Sequence, residues 1–219
     1  MVIVAGGSGT RMGAGLPKQF LELNGKPILM HTLKCMHEFD AGMQLVLVLP
    51  ADEIPFWKDL TKKHGFTVEL ELANGGNTRF LSVKNGLEKV DGDLIGVHDG
   101  VRPFPAMDVM KNCFEMALVH GAAVPTLPVI QSLRQLDDSS SKAVNRDFYR
   151  VVQTPQCFQS KILKTAYNNA AGQDFSDDAT VVEALGTDVQ LVEGNSENIK
   201  ITNPMDLQLA ELIIARRNN

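Results

Sequence analysis

The chain has no excess of positive charge: 21 lysines and arginines face 26 aspartates and glutamates, a formal net charge of −5. A protein that grips nucleic acid regardless of sequence needs a broad basic face, so that class is excluded and any phosphate site has to be local. Cysteine is scarce as well. Cys35, Cys113 and Cys157 make an odd number with no C-x-x-C pair, which excludes a disulfide framework and a zinc ribbon and fits a reducing cytoplasm. No run of about 18 apolar residues occurs, and no basic segment followed by an apolar stretch opens the chain, so neither a membrane span nor a secretory leader is expected. The histidines at 31, 37, 64, 98 and 120 lack metal-ligand spacing: His31 and His37 lie six apart and share no helix face. His98 reads as a packed strand-end residue. With no G-x-S-x-G elbow, serine-hydrolase chemistry is disfavoured too.

What the chain does have is glycine in one telling place. An apolar strand at its start runs into Ala5-Gly-Gly-Ser-Gly-Thr-Arg-Met-Gly13, followed by Leu16-Pro-Lys-Gln19. Glycines let backbone N–H groups crowd around anionic oxygens, and Arg11 and Lys18 add fixed charge where a triphosphate would lie. Two other glycine-rich signatures fail. G-x-G-x-x-G begun at Gly7 needs glycine at 12, where Met12 stands, and the Gly-Lys pair Gly25-Lys26 is followed by Pro27 rather than Ser or Thr.

Apolar runs at Val2–Ala5, Leu45–Leu49, Val68–Leu72, Leu94–His98, Ala122–Val129 and Val189–Glu193 read as strands. Amphipathic segments at Pro27–Phe39, Pro55–His64, Thr78–Lys89, Met107–His120, Lys161–Asn169 and Ala179–Leu185 read as helices. A last helix starts at Pro204 behind a Thr202-Asn cap, with Met205, Leu207, Leu209, Leu212 and Ile213 as its apolar side. This βα alternation predicts an α/β fold over 1–219 as one domain: a Rossmann-like, doubly wound, mostly parallel sheet with ligands beyond the strand C-termini. The alternation breaks at about 131–153, where Asp137-Asp-Ser-Ser-Ser-Lys142 forms a turn cluster and a protruding β arm is expected.

Asp99 ends the fourth strand in His98-Asp-Gly-Val-Arg-Pro103, at the same sheet edge as the glycine-rich loop. It is either a turn residue bonding nearby amides or a hard oxygen ligand for Mg2+, which needs only one or two protein carboxylates. Lys200 interrupts a strand-like run, and either snorkels from an edge or supplies a cation.

These residues resemble the signature of the sugar-phosphate nucleotidyltransferases and, within them, the family of 2-C-methyl-D-erythritol 4-phosphate cytidylyltransferases of the non-mevalonate isoprenoid pathway. The resemblance rests on the glycine-rich loop, His98–Pro103, Gln153-Thr-Pro-Gln156 and Glu193–Thr202, in that order along essentially the whole chain. It implies cytidylyl transfer from CTP to a polyol phosphate, with Arg11, Lys18 and Lys200 as catalytic cations and Mg2+ on Asp99. Ala5, Gly6, Gly7, Ser8, Gly9, Gly75, Asn77 and Ser82 would hold the nucleotide. Asn77 stands where the family often has aspartate, and an Asn N-cap accounts for it equally. Arg102, Ser132, Arg146, Thr154 and Ser176 would bind the acceptor, with Arg146 and Ser132 reaching in from the arm of a homodimer partner. Ser132 and Ser176 replace expected threonines and keep the hydroxyl. Read without the resemblance, Arg146 is an exposed arm charge and Thr154 a residue turned by Pro155. The attacking phosphate needs no general base, since it already carries about −1.5 to −2 charge. A ribitol-5-phosphate cytidylyltransferase shares these motifs, and the compact length favours the isoprenoid enzyme. A NAD-binding oxidoreductase is opposed by Met12, and a non-catalytic nucleotide sensor by the intact set Arg11, Lys18, Asp99 and Lys200.

Overall fold

The computed structural model describes residues 1–6, 16–172 and 174–217. Strand β1 (Val2–Val4) is followed by a small hairpin, β2 (Glu22–Leu23) and β3 (Lys26–Pro27), whose turn holds Asn24 and Gly25 at positive φ. The alternation then runs α1 (Ile28–Phe39), β4 (Val46–Leu49), α2 (Ile54–His64), β5 (Glu71–Asn74), α3 (Arg79–Leu87), β6 (Leu94–Asp99), α4 (Met107–His120) and β7 (Ala122–Pro128). Next come β8 (Leu133–Leu136), β9 (Ser141–Val144), β10 (Arg150–Val152), β11 (Gln156–Gln159), α5 (Ser160–Asn169), α6 (Asp178–Glu183), β12 (Gln190–Glu193) and α7 (Pro204–Arg217).

β1 pairs in parallel with β4 on one side and β6 on the other, and β5 extends the sheet beyond β4. β11 lies antiparallel between β6 and β7. Ala123 partners both Cys157 and Gln190, and Thr126 both Val152 and Glu193, so β12 takes one edge of β7 while β10 and β11 share the other. Strand order reverses at β1, where the chain winds out through β4 and β5 and then returns to β6. In an open α/β sheet the crevice at such a reversal, beyond the strand C-termini, is where ligands bind.

The strands are apolar on both sides because both faces are covered. Val2, Val46 and Val48 face α3, α5 and α6, whereas Ile3, Leu47 and Leu49 face α1, α2 and α4. Leu29, Leu33 and Met36 fall at helical spacing on α1 and are fully buried, each contributing roughly 1.5–3 kcal/mol relative to exposure. α3 lies so close to the sheet that a Cβ on Gly86 would sit 2.6 Å from Val2 Cγ1.

The mostly parallel sheet and the protruding arm agree with the sequence reading, and the differences are local. β5 occupies Glu71–Asn74 rather than Val68–Leu72 because its register is fixed by pairing with β4, Val46 opposite Glu71 through Leu49 opposite Asn74. β11 has no counterpart among the expected strands. On α7 the buried residues are Ala210 and Ile213, with Leu207 and Ile214 packed beside them, while Met205, Leu209 and Leu212 point outward. The predicted cap is present: Asn203 Oδ1 accepts the Asp206 N–H at 3.1 Å, and Asp206 accepts the Thr202 N–H and hydroxyl. Among the described residues no helix is long and apolar enough to cross a membrane.

Candidate active site

Two connected compartments open at the C-terminal ends of β1, β5 and β6. The first is lined by Ala5 and Gly6 after β1, Lys18 and Gln19, the Gly76–Ser82 segment, Asp99 and Lys200. Lys18 starts a single 3-10 turn, Lys18–Phe20, tied down from both ends. Phe20 packs against Phe56 and Trp57 at ring-centroid distances of 5.2 and 6.5 Å. The buried Gln19 donates Nε2–H to Ala5 O at 2.8 Å and to Glu53 Oε2 at 2.6 Å. Both of those oxygens only accept, which fixes the amide orientation.

The far wall is the turn between β5 and α3. The helix N-cap is Thr78, whose hydroxyl accepts the Leu81 N–H at 3.1 Å, so the expected Asn77 cap is displaced by one residue. Ser82 Oγ accepts the Gly76 N–H and donates to Thr78 O at 2.9 Å. Its hydroxyl therefore shapes the turn that faces the ligand space. Between the walls, Gly100 lets the end of β6 press against β1: a Cβ there would lie 2.8 Å from Ala5 Cβ. That close approach sets Asp99 in the same lining as Ala5 and Gly6.

Asp99 is the charge centre. Its Oδ2 receives Lys200 Nζ at 3.1 Å and Arg102 Nε at 3.0 Å. Burial works against ionisation, but Lys200, Arg102 and Arg79 outweigh it and hold the carboxyl well below the usual carboxylate range. Arg102 also donates to Asn198 O at 2.9 Å.

The second compartment is lined by Arg79, Asp99, Arg102, Gln153, Thr154, Ser176, Asp177 and Lys200. Thr154 belongs to a buried relay: its Oγ1 accepts the Asp99 N–H at 3.1 Å and lies 3.0 Å from His98 Nδ1, while His98 Nε2 lies 2.8 Å from Arg102 O. The Arg102 carbonyl only accepts, so Nε2 carries the proton, and a neutral ring then accepts the Thr154 hydroxyl at Nδ1. Burial pushes His98 down from 6.5 to about 4, against the bond to Arg102 and the Asp99 charge.

Unfolding returns His98 to its ordinary value, so from pH 6.5 down to about 4 the unfolded chain binds the extra proton and stability falls as pH falls. The expected loss is up to about 3 kcal/mol. Asp99 adds to it only below its own ordinary value of 3.8. Urea midpoints across this range should slope in the wild type and flatten in His98→Gln. An unchanged slope would assign the acid sensitivity to other groups.

The structure thus brings Lys18, Lys200, Ala5, Gly6, Asn77, Ser82, Asp99, Arg102, Thr154 and Ser176 to one cleft. Gly75 sits at the mouth of the turn, donating its N–H to Leu49 O at 2.7 Å. Arg11, Gly7, Ser8 and Gly9 lie outside the described residues. Ser132 and Arg146 lie on the arm, exposed, with Arg146 donating to Ile130 O, and neither lines the cleft of its own chain. Sequence reasoning missed Arg79, which lines both compartments. Its signal was its place one residue past the cap of a helix that follows a Gly-Gly turn.

Residues 1–216 match the family model described as 2-C-methyl-D-erythritol 4-phosphate cytidylyltransferase. The chain is 51% identical over 215 residues to the protein of that name from Bacteroides thetaiotaomicron, covering 98% of each, and 51% identical to that from Bacteroides fragilis over 97% of this chain and 98% of that one. Among solved structures, the 2-C-methyl-D-erythritol 4-phosphate cytidylyltransferase of Thermus thermophilus superposes with a TM-score of 0.82 at 35% identity, covering 98% of both chains. The 4-diphosphocytidyl-2C-methyl-D-erythritol synthase of Anaerococcus prevotii gives 0.84 at 27% identity over 98% of this chain and 95% of that one. With the motifs, the fold and the cleft in agreement, this chain belongs to the 2-C-methyl-D-erythritol 4-phosphate cytidylyltransferase family.

Proposed function

We propose that the protein transfers a cytidylyl group from CTP to 2-C-methyl-D-erythritol 4-phosphate and releases pyrophosphate, in isoprenoid precursor synthesis. The observation that carries this reading is the shared wall of Arg79, Asp99 and Lys200 between two adjoining compartments. One compartment suits the nucleotide and the other the phosphorylated acceptor. The acceptor phosphate is its own nucleophile: an oxygen attacks the α-phosphorus while the bond to pyrophosphate breaks. The chain's task is to bring two anions together and to stabilise the charge that builds on the α-phosphate, which falls to Lys18, Lys200 and, from the glycine-rich loop, Arg11. Asp99 suits Mg2+ as a single ionised hard-oxygen ligand, the phosphates completing the coordination. The metal would arrive with the triphosphate, since Mg2+ commonly binds through one or two carboxylates and substrate phosphates. It would neutralise charge shared between the phosphates.

The assay is pyrophosphate release with CTP, Mg2+ and either polyol phosphate. Faster turnover of ribitol 5-phosphate than of 2-C-methyl-D-erythritol 4-phosphate would overturn the acceptor assignment, and the family match favours the methylerythritol compound.

A homodimer joined through the arm is part of the same proposal. Ile130, Leu136 and Phe148 are 73, 79 and 85% exposed there, beside Ser132 and Arg146. A Phe148→Glu variant should elute as a monomer and bind the acceptor more weakly. Unchanged mass and acceptor affinity would remove the arm from the site. Buried, unpaired Cys35, Cys113 and Cys157 support placement in a reducing cytoplasm.

A further inference from the structure

We propose that Arg79 grips the acceptor's phosphate where the two compartments meet, and that the buried carboxylate of Asp178 is its positioning residue. The inference rests on the cytidylyl-transfer reading above and adds a substrate contact to it.

Arg79 Nη1 donates to Asp178 Oδ1 at 3.0 Å and Nη2 to Oδ2 at 2.6 Å, a two-pronged pair. The two side chains differ in exposure: that of Arg79 is 29% exposed and that of Asp178 is wholly buried. The carboxylate is itself immobilised. Tyr167 donates its hydroxyl to Oδ1 at 2.6 Å. The N–H groups of Asp178 and Ala179 donate to Gln156 Oε1 at 3.0 and 2.9 Å, and Gln156 Nε2 donates to Asp177 Oδ2 at 2.8 Å. Strand β11 and helices α5 and α6 therefore converge on one carboxylate whose outward partner is an arginine.

Burying an ion pair is a poor route to stability, since apolar residues of similar volume serve as well. Its distinctive result here is orientation. Two of the five guanidinium N–H groups are engaged by Asp178, which leaves three for a ligand, and Arg79 lines both compartments. Lys200 and Arg102 are paired directly with Asp99, which lines the cleft, whereas the two-pronged partner of Arg79 is out of solvent. A planar cation so held suits a phosphate monoester. Ser176 and Asp177, which line the acceptor compartment, adjoin Asp178 in sequence. Filling that compartment is thereby tied to the aim of the arginine.

The test begins with the wild type, whose pyrophosphate release with CTP and 2-C-methyl-D-erythritol 4-phosphate establishes the reaction. Arg79→Gln combined with Asp178→Asn removes both charges, so no ion is stranded in the core. Its kcat/KM for the acceptor should fall about a hundredfold, at least about tenfold more than calorimetric CTP affinity falls, and added guanidinium should restore part of the rate. Arg79→Lys, which keeps the charge and loses the fork, should fall about tenfold, and it supplies the readout if the double variant does not fold. An acceptor kcat/KM within about threefold of wild type, or equal losses for CTP and acceptor, would overturn the assignment. A wild type that turns over no polyol phosphate would instead sink the cytidylyl-transfer reading, and the role of Arg79 with it.

Discussion

Lys200→Ala should lower the rate of pyrophosphate release by about 10²–10³-fold, the loss that follows removal of one preorganised group from a developing charge. Among the described residues Lys200 is the one lysine that lines both compartments, so on the proposed reaction it would stand beside both substrates. Its ammonium is half-exposed and rests 3.1 Å from Asp99. Arg102 stays on the same carboxylate oxygen at 3.0 Å, so the variant strands no buried charge and should melt close to the wild type. Single-turnover rates at saturating CTP separate chemistry from binding. A loss of less than about threefold would show that the α-phosphorus is stabilised without it.

Trp57→Ala should cost about 3–5 kcal/mol of stability, the usual range for emptying a buried aromatic site. Trp57 is 2% exposed, stacked on Phe20 at 6.5 Å and edge-on to Phe66 at 5.7 Å. The functional consequence follows from its neighbour. Phe20 closes the 3-10 turn that begins with Lys18, so a cavity behind Phe20 loosens the lysine's footing, and KM for CTP should rise along with the drop in denaturant midpoint. A destabilised variant with unchanged KM would mean that Gln19, through Ala5 and Glu53, holds the turn unaided.

Most of the sheet and its helices were legible because β1, β4 and β6 are largely apolar runs and the covering helices have apolar stripes. α4 falls on Met107–His120 as expected, and β6 ends on Asp99. What stayed hidden depends on partners distant in sequence. β11 is four residues with glutamine at both ends, and its antiparallel insertion between β6 and β7 follows from no local period. β5 lies closer to the site than its apolar run suggests because β4 sets its register. The outward face of α7 is apolar too, so its pattern alone mixed inward Leu207 and Ile213 with outward Met205, Leu209 and Leu212. In the cleft, the motifs disclosed the residues whose chemistry is local: the glycine turns, Lys18, Asp99 and Lys200. Arg79 was passed over because its meaning comes from Asp178, 99 positions away, and from Tyr167 and Gln156 beyond that. Likewise, the Thr154–His98 relay joins segments 56 residues apart.

If the proposed reaction holds, Asp99, which pairs with both Arg102 and Lys200, would serve the resting protein as a surrogate for the substrates' own anions. A cluster of arginine and lysine awaiting phosphate would otherwise push itself apart, and each binding event would have to gather it again. With the carboxylate standing in, an arriving phosphate has only to exchange places with a ligand already there. On the proposed reaction the ammonium group would return to that oxygen once pyrophosphate and any metal have left, so each turnover would start from an assembled and charge-balanced cleft.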